Sequence, residues 1–120
     1  MKPAPFKVKS RLVEDVAVIY PQGYLNNLAG EGLVSECGKY TQSGTKNIVV
    51  NFKETDLINS IGISFLLHVM EDLQTAGGTL CFTDMSKIQL GIFEMLGLTK
   101  YFLFFPDESR ALQFLNVRGE

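Results

Sequence analysis

The sequence is poor in the residues from which metal and redox sites are built, with two cysteines and one histidine among 120 residues. Cys37 and Cys81 lie far apart, without a Cys-x-x-Cys pair and without a histidine at ligand spacing. A zinc site and a redox dithiol therefore lack their parts. We expect two buried, reduced thiols and no metal or other cofactor.

Long apolar runs are also missing. A membrane-spanning helix needs about 18 or more consecutive apolar residues, but the segment from Ile61 to Met70 contains His68 and is followed by Glu71 and Asp72. The segment from Met1 to Ser10 carries basic side chains but lacks the apolar stretch of a signal peptide. We therefore expect a cytoplasmic protein without a membrane-inserted segment.

Neither sign of charge dominates, because 11 Lys and Arg stand against 13 Asp and Glu. Nucleic-acid-binding domains usually carry a basic patch, so nucleic acid is not expected as a partner. A hydrophobic content of 46% excludes a disordered chain. The length suits one domain, and we expect a single domain over residues 1–120 with an ordered core at about 5–116.

Hydrophobic periodicity predicts alternating strands and helices. The predicted strands are Phe6–Leu12, Val16–Tyr20, Asn47–Phe52, Thr79–Phe82 and Tyr101–Phe105. The predicted helices are Asn27–Gln42, Ser60–Thr75, one that a capping box of Ser86 and Gln89 begins, and one that begins at Asp107. Pro21 and Gly23 are expected to bend or interrupt the second strand. The order β-β-α-β-α-β-α-β-α indicates an α/β domain whose mixed sheet has helices packed on it.

Motifs of common catalytic and cofactor sites are incomplete in this chain. A Ser/His/Asp triad would have to use His68, which lies in the middle of a predicted helix. The segment from Gly62 to Leu66 has leucine where a nucleophile elbow needs its second glycine. The segment from Gly30 to Ser35 lacks the third glycine of the dinucleotide-binding fingerprint. We therefore assign no catalytic residue.

The most informative stretch runs from Asn47 to Gly78, where a buried strand leads through a short loop to a serine that starts an amphipathic helix. It resembles the STAS domain of anti-sigma factor antagonists, whose signature runs through D-S-[ST]-G-[LIV] into a helix and on to a Gly-Gly turn. Val18 to Asn26 is similar to the family's second strand, Ser86 to Leu98 to a later helix, and Asp107 to Leu112 to its closing turn. The resemblance covers nearly the whole chain and implies a STAS-like sheet.

The resemblance implies an anti-sigma factor antagonist and not an enzyme. In the family, the serine after the signature aspartate is phosphorylated by an anti-sigma factor that is also a GHKL-type serine kinase, and a serine phosphatase removes the phosphate. The unphosphorylated antagonist binds the kinase and releases the sigma factor. The aligned serine is Ser60, at a helix start where free N–H groups and the helix dipole tolerate a phosphate. A phosphate charge of about −1.5 to −2 would oppose burial by a partner.

The implied partner-binding surface contains Asn26, Asn27, Leu57, Ile58, Asn59, Ser60, Ile61, Gly62, Ile63 and Ser64. We expect its two loops to meet, because the carboxyl ends of parallel strands lie at one edge of a sheet. A simpler alternative is that Asn26 and Asn27 only cap the first helix. For Gly62, the expected close approach of another backbone is either internal or with a partner.

Three positions depart from the family pattern. Asn59 replaces the signature aspartate, Ile61 replaces the second Ser or Thr, and Asn26 takes a place often held by aspartate. These departures leave open a second interpretation, a phosphorylation-independent STAS scaffold or sensor in a signalling or transporter assembly that binds nucleotide or lipid. We expect a monomer, with a weak dimer as the alternative.

Overall fold

A computed structural model describes residues 7–117, apart from the side chain of Asn27. Its elements in chain order are β1 (Lys7–Val13), β2 (Val16–Leu25), α1 (Asn27–Gln42), β3 (Asn47–Asn51), β4 (Thr55–Ile58), α2 (Ser60–Thr75), β5 (Thr79–Thr83), α3 (Lys87–Met95), β6 (Leu103–Phe105) and α4 (Glu108–Phe114). Phe6, placed in the first strand from the sequence, lies outside the described residues. The predicted α/β domain with a mixed sheet is confirmed.

The sheet has the strand order β1-β2-β3-β5-β6, and β4 pairs with β2 beside this path. β1 and β2 form an antiparallel hairpin, whereas the remaining pairs are parallel. The lysines of β1 are exposed while Val8 and Ser10 are half-buried, as the alternation along this strand predicts, but Leu12, which the same alternation places with them, is 56% exposed. β1 is therefore a polar edge strand, and β2 and β3 lie inside the sheet.

The structure adds a strand that the sequence pattern did not indicate. β4 is only four residues long, and its middle residues Asp56 and Leu57 are both exposed, so it shows no alternation. β2 is continuous through Pro21 to Leu25, but it changes partners there, since Val16–Ile19 pair with β3 whereas Gly23 and Leu25 pair with β4. The proline and glycine thus mark a change of partner and not an interruption.

The last strand is also shorter than predicted. Thr99–Tyr101 forms a 3-10 turn, and pairing with β5 is confined to Leu103–Phe105. Phe102 lies between the two and is buried, with its ring stacked on Phe82 at 4.6 Å between centroids. The run of aromatic residues therefore supplies a core contact as well as a strand.

The two faces of the sheet are covered unequally. One face carries the larger core, in which residues of α1, α2 and α3 pack on the sheet around Phe82. The other face carries a smaller core under α4, where Ala111 and Leu112 cover Val18 and Val49. Val117, one residue beyond the core expected to be ordered, packs on this second face.

Both cysteines are free and buried, as the sequence predicts. Burial raises the pKa of the Cys81 thiol to about 12. Burial, with a smaller contribution from the charge of Glu36, also raises the pKa of Cys37 to about 12. Because thiolates are the reactive form, both thiols are held in the unreactive state.

A polar cluster fastens α4 to the sheet. The Glu108 carboxylate accepts hydrogen bonds from the Tyr20 hydroxyl at 2.6 Å and from the Asn51 amide at 3.1 Å, and it forms an ion pair with Arg11. Burial alone would raise the pKa of Glu108, but these hydrogen bonds and the charge of Arg11 outweigh it and lower the pKa. Since α4 has seven residues, too few for an isolated helix, it depends on contacts with the sheet, and this cluster supplies polar contacts beside the buried Ala111 and Leu112.

We predict that Glu108→Gln lowers the free energy of unfolding by about 1 kcal/mol at pH 7, because charge-assisted hydrogen bonds are lost at a partly exposed site. The lowered pKa means that the ionised carboxylate stabilises the fold above the carboxyl's ordinary pKa, and that this stabilisation is lost as pH falls through the folded-state value. Urea unfolding at pH 7 and near pH 3 measures the free energy of unfolding of wild type and variant at each pH. The gap between wild type and variant should shrink in acid, and a gap that stays constant contradicts the assignment. Glu31→Gln, at an exposed carboxylate, is the control.

Candidate functional site

Two helices start side by side at one edge of the sheet. Leu25 at the end of β2 and Ile58 at the end of β4 are partners in the parallel pair, and the next residue of each chain segment is an asparagine. The Asn59 N–H donates to the Leu25 carbonyl at 3.2 Å, which joins the two loops directly. The structure therefore brings Asn26 and Asn59 together at the start of α1 and α2.

Both asparagines cap their helices. The Asn26 side chain accepts a hydrogen bond from the Ala29 N–H at 3.0 Å, and the Asn59 side chain accepts one from the Gly62 N–H at 2.7 Å. The structure confirms that Asn26 caps α1. Asn27 is the first residue of the helix and not its N-cap. An aspartate cap would satisfy the same N–H groups, so the neutral amides keep the geometry while removing the negative charge.

Gly62 permits the two elements to approach closely. A Cβ placed on Gly62 would lie 2.4 Å from the Leu25 carbonyl oxygen, which is far inside van der Waals contact. The close approach expected for this glycine is therefore internal, between the first turn of α2 and the end of β2. It holds the helix start at a defined distance from the neighbouring strand.

Hydrogen bonds to the rest of the domain also hold β4, the strand that leads into the site. The Thr55 hydroxyl donates to the Pro21 carbonyl at 2.7 Å, and the Gln89 amide donates to the carbonyls of Thr55 and Asp56 at 2.8 and 3.1 Å. Gln89 is buried and also completes the predicted capping box with Ser86. Sequence reasoning found the capping box but not this second role, because the contact joins residues far apart in the chain.

Ser60 is the first residue of α2 and is exposed. Across residues 7–117, its hydroxyl forms no hydrogen bond with another protein group. The Ser64 hydroxyl, one turn later, donates to the Ile61 carbonyl at 2.5 Å. Of the two serines at this helix start, Ser60 is thus the one whose oxygen is open to a reaction.

Exposed apolar side chains stand close to Ser60 in the chain and at the neighbouring helix start. Leu57 is 56% exposed and Ile61 is 50% exposed, and Leu28, in the first turn of α1, is 75% exposed. Ile58, Gly62 and Ile63, which sequence reasoning included in the surface, are buried and support it from the core side. The exposed position of Leu28 was missed, although an apolar residue directly after two capping-type residues was a readable signal.

We call this region the helix-start surface, which comprises Tyr24, Asn26, Leu28, Leu57, Asn59, Ser60, Ile61 and Ser64. Neither contributing segment, residues 22–30 or residues 57–67, contains an Asp, Glu, Lys, Arg or His. Exposed apolar side chains among uncharged polar ones, with charged residues absent, are typical of the centre of a protein interface. The charged residues that border the two segments in the sequence, Glu31 and Asp56, are exposed acids, so a phosphate on Ser60 would add to negative charge at the margin of this surface.

His68 lies further along α2, on its exposed side. Its Nε2 is 3.4 Å from the Asp72 carboxylate, and both side chains are solvent-exposed. No serine or cysteine hydroxyl or thiol is bonded to it among the described residues. His68 and Asp72 are one helical turn apart, so their contact is an ordinary pairing of side chains on a helix surface.

The family model for the STAS domain matches residues 7–111. The chain belongs to the STAS domain family. The matched range includes β1 to β6, the helix-start surface and the first half of α4. Within residues 7–117, no helix of this STAS domain combines the length and the apolar run that a membrane span requires.

Solved structures share the fold of this STAS domain at low sequence identity. A Thermotoga maritima protein is 15% identical with a TM-score of 0.83, covering 92% of this chain and 94% of that chain. An anti-sigma factor antagonist from Mycobacterium paratuberculosis is 19% identical with a TM-score of 0.82, covering 98% and 100%. The phosphorylated form of the Bacillus cell fate determinant SpoIIAA is 20% identical with a TM-score of 0.70, covering 92% and 99%. At these identities the likeness establishes the fold.

We predict that Gly62→Ala destabilises the protein by about 2 kcal/mol, because its methyl group would overlap the Leu25 carbonyl. Gly38→Ala is the matched control, since Gly38 is also inside a helix but a Cβ there meets nothing within 4 Å. The control should stabilise the protein by roughly 0.5–1 kcal/mol, as helix propensity requires. Thermal unfolding of both variants measures the contrast. Equal effects of the two substitutions would show that the close approach at Gly62 is not needed.

Proposed function

We propose that this chain is an anti-sigma factor antagonist, a non-enzymatic module that binds an anti-sigma factor kinase through the helix-start surface. Phosphorylation of Ser60 prevents that binding, and a serine phosphatase restores it. The observation that carries the proposal is the Ser60 hydroxyl at the first turn of α2, which is exposed and forms no hydrogen bond within the described residues, with the exposed Leu57 and Ile61 on either side of it in the sequence.

The position of Ser60 suits a reversible modification. The N-terminus of a helix has unpaired N–H groups and the positive end of the dipole, so the folded chain tolerates a phosphate there. The Asn59 side chain already occupies the Gly62 N–H, so capping does not depend on the modification. Phosphorylation is therefore expected to leave the fold and its stability nearly unchanged.

The same phosphate would act strongly on a partner. A partner that binds this surface through Leu57 and Ile61 would bring Ser60 into the interface and withdraw its phosphate from water. Removing a doubly charged group from water costs several kcal/mol unless the partner supplies matching cations. Because the eight residues of the helix-start surface carry no charge themselves, a phosphate on Ser60 would place about two negative charges within an otherwise neutral docking site.

The structural neighbours support this assignment. SpoIIAA is an anti-sigma factor antagonist whose structure is known in unphosphorylated and phosphorylated forms. At 20% identity, the similarity supports a shared fold, and that fold is compatible with regulation by phosphorylation. The proposal for Ser60 itself rests on its position, exposure and surroundings in this chain.

A specific observation favours a second candidate function. Asn59 and Ile61 replace an acidic residue and a hydroxyl residue of the family signature, which removes groups that a switch kinase would contact. A phosphorylation-independent STAS scaffold or sensor would use the same apolar surface without a switch at Ser60. The experiments below separate the two functions.

We expect the protein isolated from its native cells to carry a variable mass increase of 80 Da on Ser60 under some growth conditions. Phosphopeptide mapping measures the site, and Ser64 is the internal comparison because its hydroxyl is bonded to Ile61. Modification at Ser60 and not at Ser64 supports the switch. Persistent absence with complete peptide coverage favours the phosphorylation-independent module.

We further predict that Ser60→Asp weakens binding to the cognate GHKL-type anti-sigma kinase at least tenfold, whereas Ser60→Ala binds like wild type and is permanently active. The kinases of this type from the same genome would be purified and titrated by calorimetry. Ser109→Asp is the matched control, because Ser109 is an exposed first-turn serine of α4 on the other face of the sheet. Equal binding of wild type and Ser60→Asp would disprove the gating mechanism.

A further inference from the structure

The helix α3 has an apolar face that points away from the domain. Its buried residues Gln89 and Phe93 face the core, whereas Ile88 is 73% exposed and Met95 is 78% exposed. Ile88 and Met95 are two helical turns apart, with Gly91 between them, so the three residues form one stripe along the helix. The stripe lies outside the helix-start surface and has no role in the function proposed above.

Gly91 has no internal reason to be glycine. A Cβ on it would meet nothing within 4 Å, and its backbone has an ordinary helical conformation. A glycine inside a helix costs roughly 0.5–1 kcal/mol relative to alanine, and here nothing in the described part of the chain offsets that cost. A glycine in the middle of an exposed apolar stripe would let a second helix approach closely.

The charges beside the stripe indicate what kind of helix could pack against it. Lys87 and Glu94 are exposed, two turns apart and on the same side of the stripe. Within residues 7–117, neither of them forms a salt bridge. In an antiparallel pair of identical helices related by a two-fold axis near Gly91, each Lys87 would face Glu94 of the other copy. The surface is therefore complementary to itself in charge.

We propose that α3 is a homodimer contact, in which two copies of this chain pack their α3 helices antiparallel around a two-fold axis at Gly91. An isologous contact of this kind pairs the same patch on both copies. Because α3 has nine residues, the buried area falls below that of standard stable interfaces. The dimer is therefore weak and depends on protein concentration. The proposal does not rest on the proposed antagonist function.

Charge exchange tests the arrangement. K87E places a carboxylate opposite Glu94 of the other copy, and E94K places an ammonium opposite its Lys87, so each single variant should raise the dimer dissociation constant at least fivefold. The double variant K87E/E94K restores opposite charges and should return to within about twofold of wild type. Sedimentation equilibrium over a series of concentrations at low salt measures all four proteins. A double variant as weak as the single variants, or a wild type that stays monomeric at about 1 mM, overturns the proposal.

Gly91→Ala supplies an independent test. The substitution should raise the melting temperature, because it removes a helix-interior glycine in open space. It should also weaken the dimer, because the added methyl groups meet at the two-fold axis. A variant that is more stable and equally dimeric would contradict a close crossing at Gly91. Circular dichroism on the same samples shows whether any loss of dimer reflects loss of fold.

Discussion

The carbonyl of Leu25 determines where the site lies. It accepts the Asn59 N–H, and it occupies the space that a side chain at Gly62 would need. Through these two contacts, the end of β2 sets the position of β4 and of the first turn of α2. The change of partner along β2 makes this possible, because its first part completes the parallel sheet and its last part is left free to pair with β4.

The regular elements were predictable from the sequence because their signals are local. The run from Ile61 to Leu73 has the helical period, and Ser86 and Gln89 are placed as a capping box. β4 was not predictable in this way, since its four residues neither alternate nor form an apolar run. Its conformation depends on Thr55 and Gln89, whose bonds reach 34 and 33 residues along the chain, and a window of sequence contains no trace of such bonds.

The candidate site was predictable in part for the same reason. Ser60 and its two neighbouring segments follow from the family signature and from the rule that parallel strands end at one edge. Which side chains reach the surface depends on how β4 and the two helices pack, so Ile58 and Ile63 are in the core while Leu28 is exposed. Hydrophobic periodicity identifies the residues that share one face of an element, but packing decides which residues near the ends of that element are buried.

The rigid support beneath the helix-start surface has a consequence for how information leaves this domain. The backbone around Ser60 is held by a helix cap, by strand pairing, by the contact at Gly62 and by the amide of Gln89. These contacts come from three different elements and all fix the same backbone arrangement. Under the proposed function, a phosphate on Ser60 would then act through the charge that it adds to the surface, and a partner would sense it on contact without a movement of the backbone.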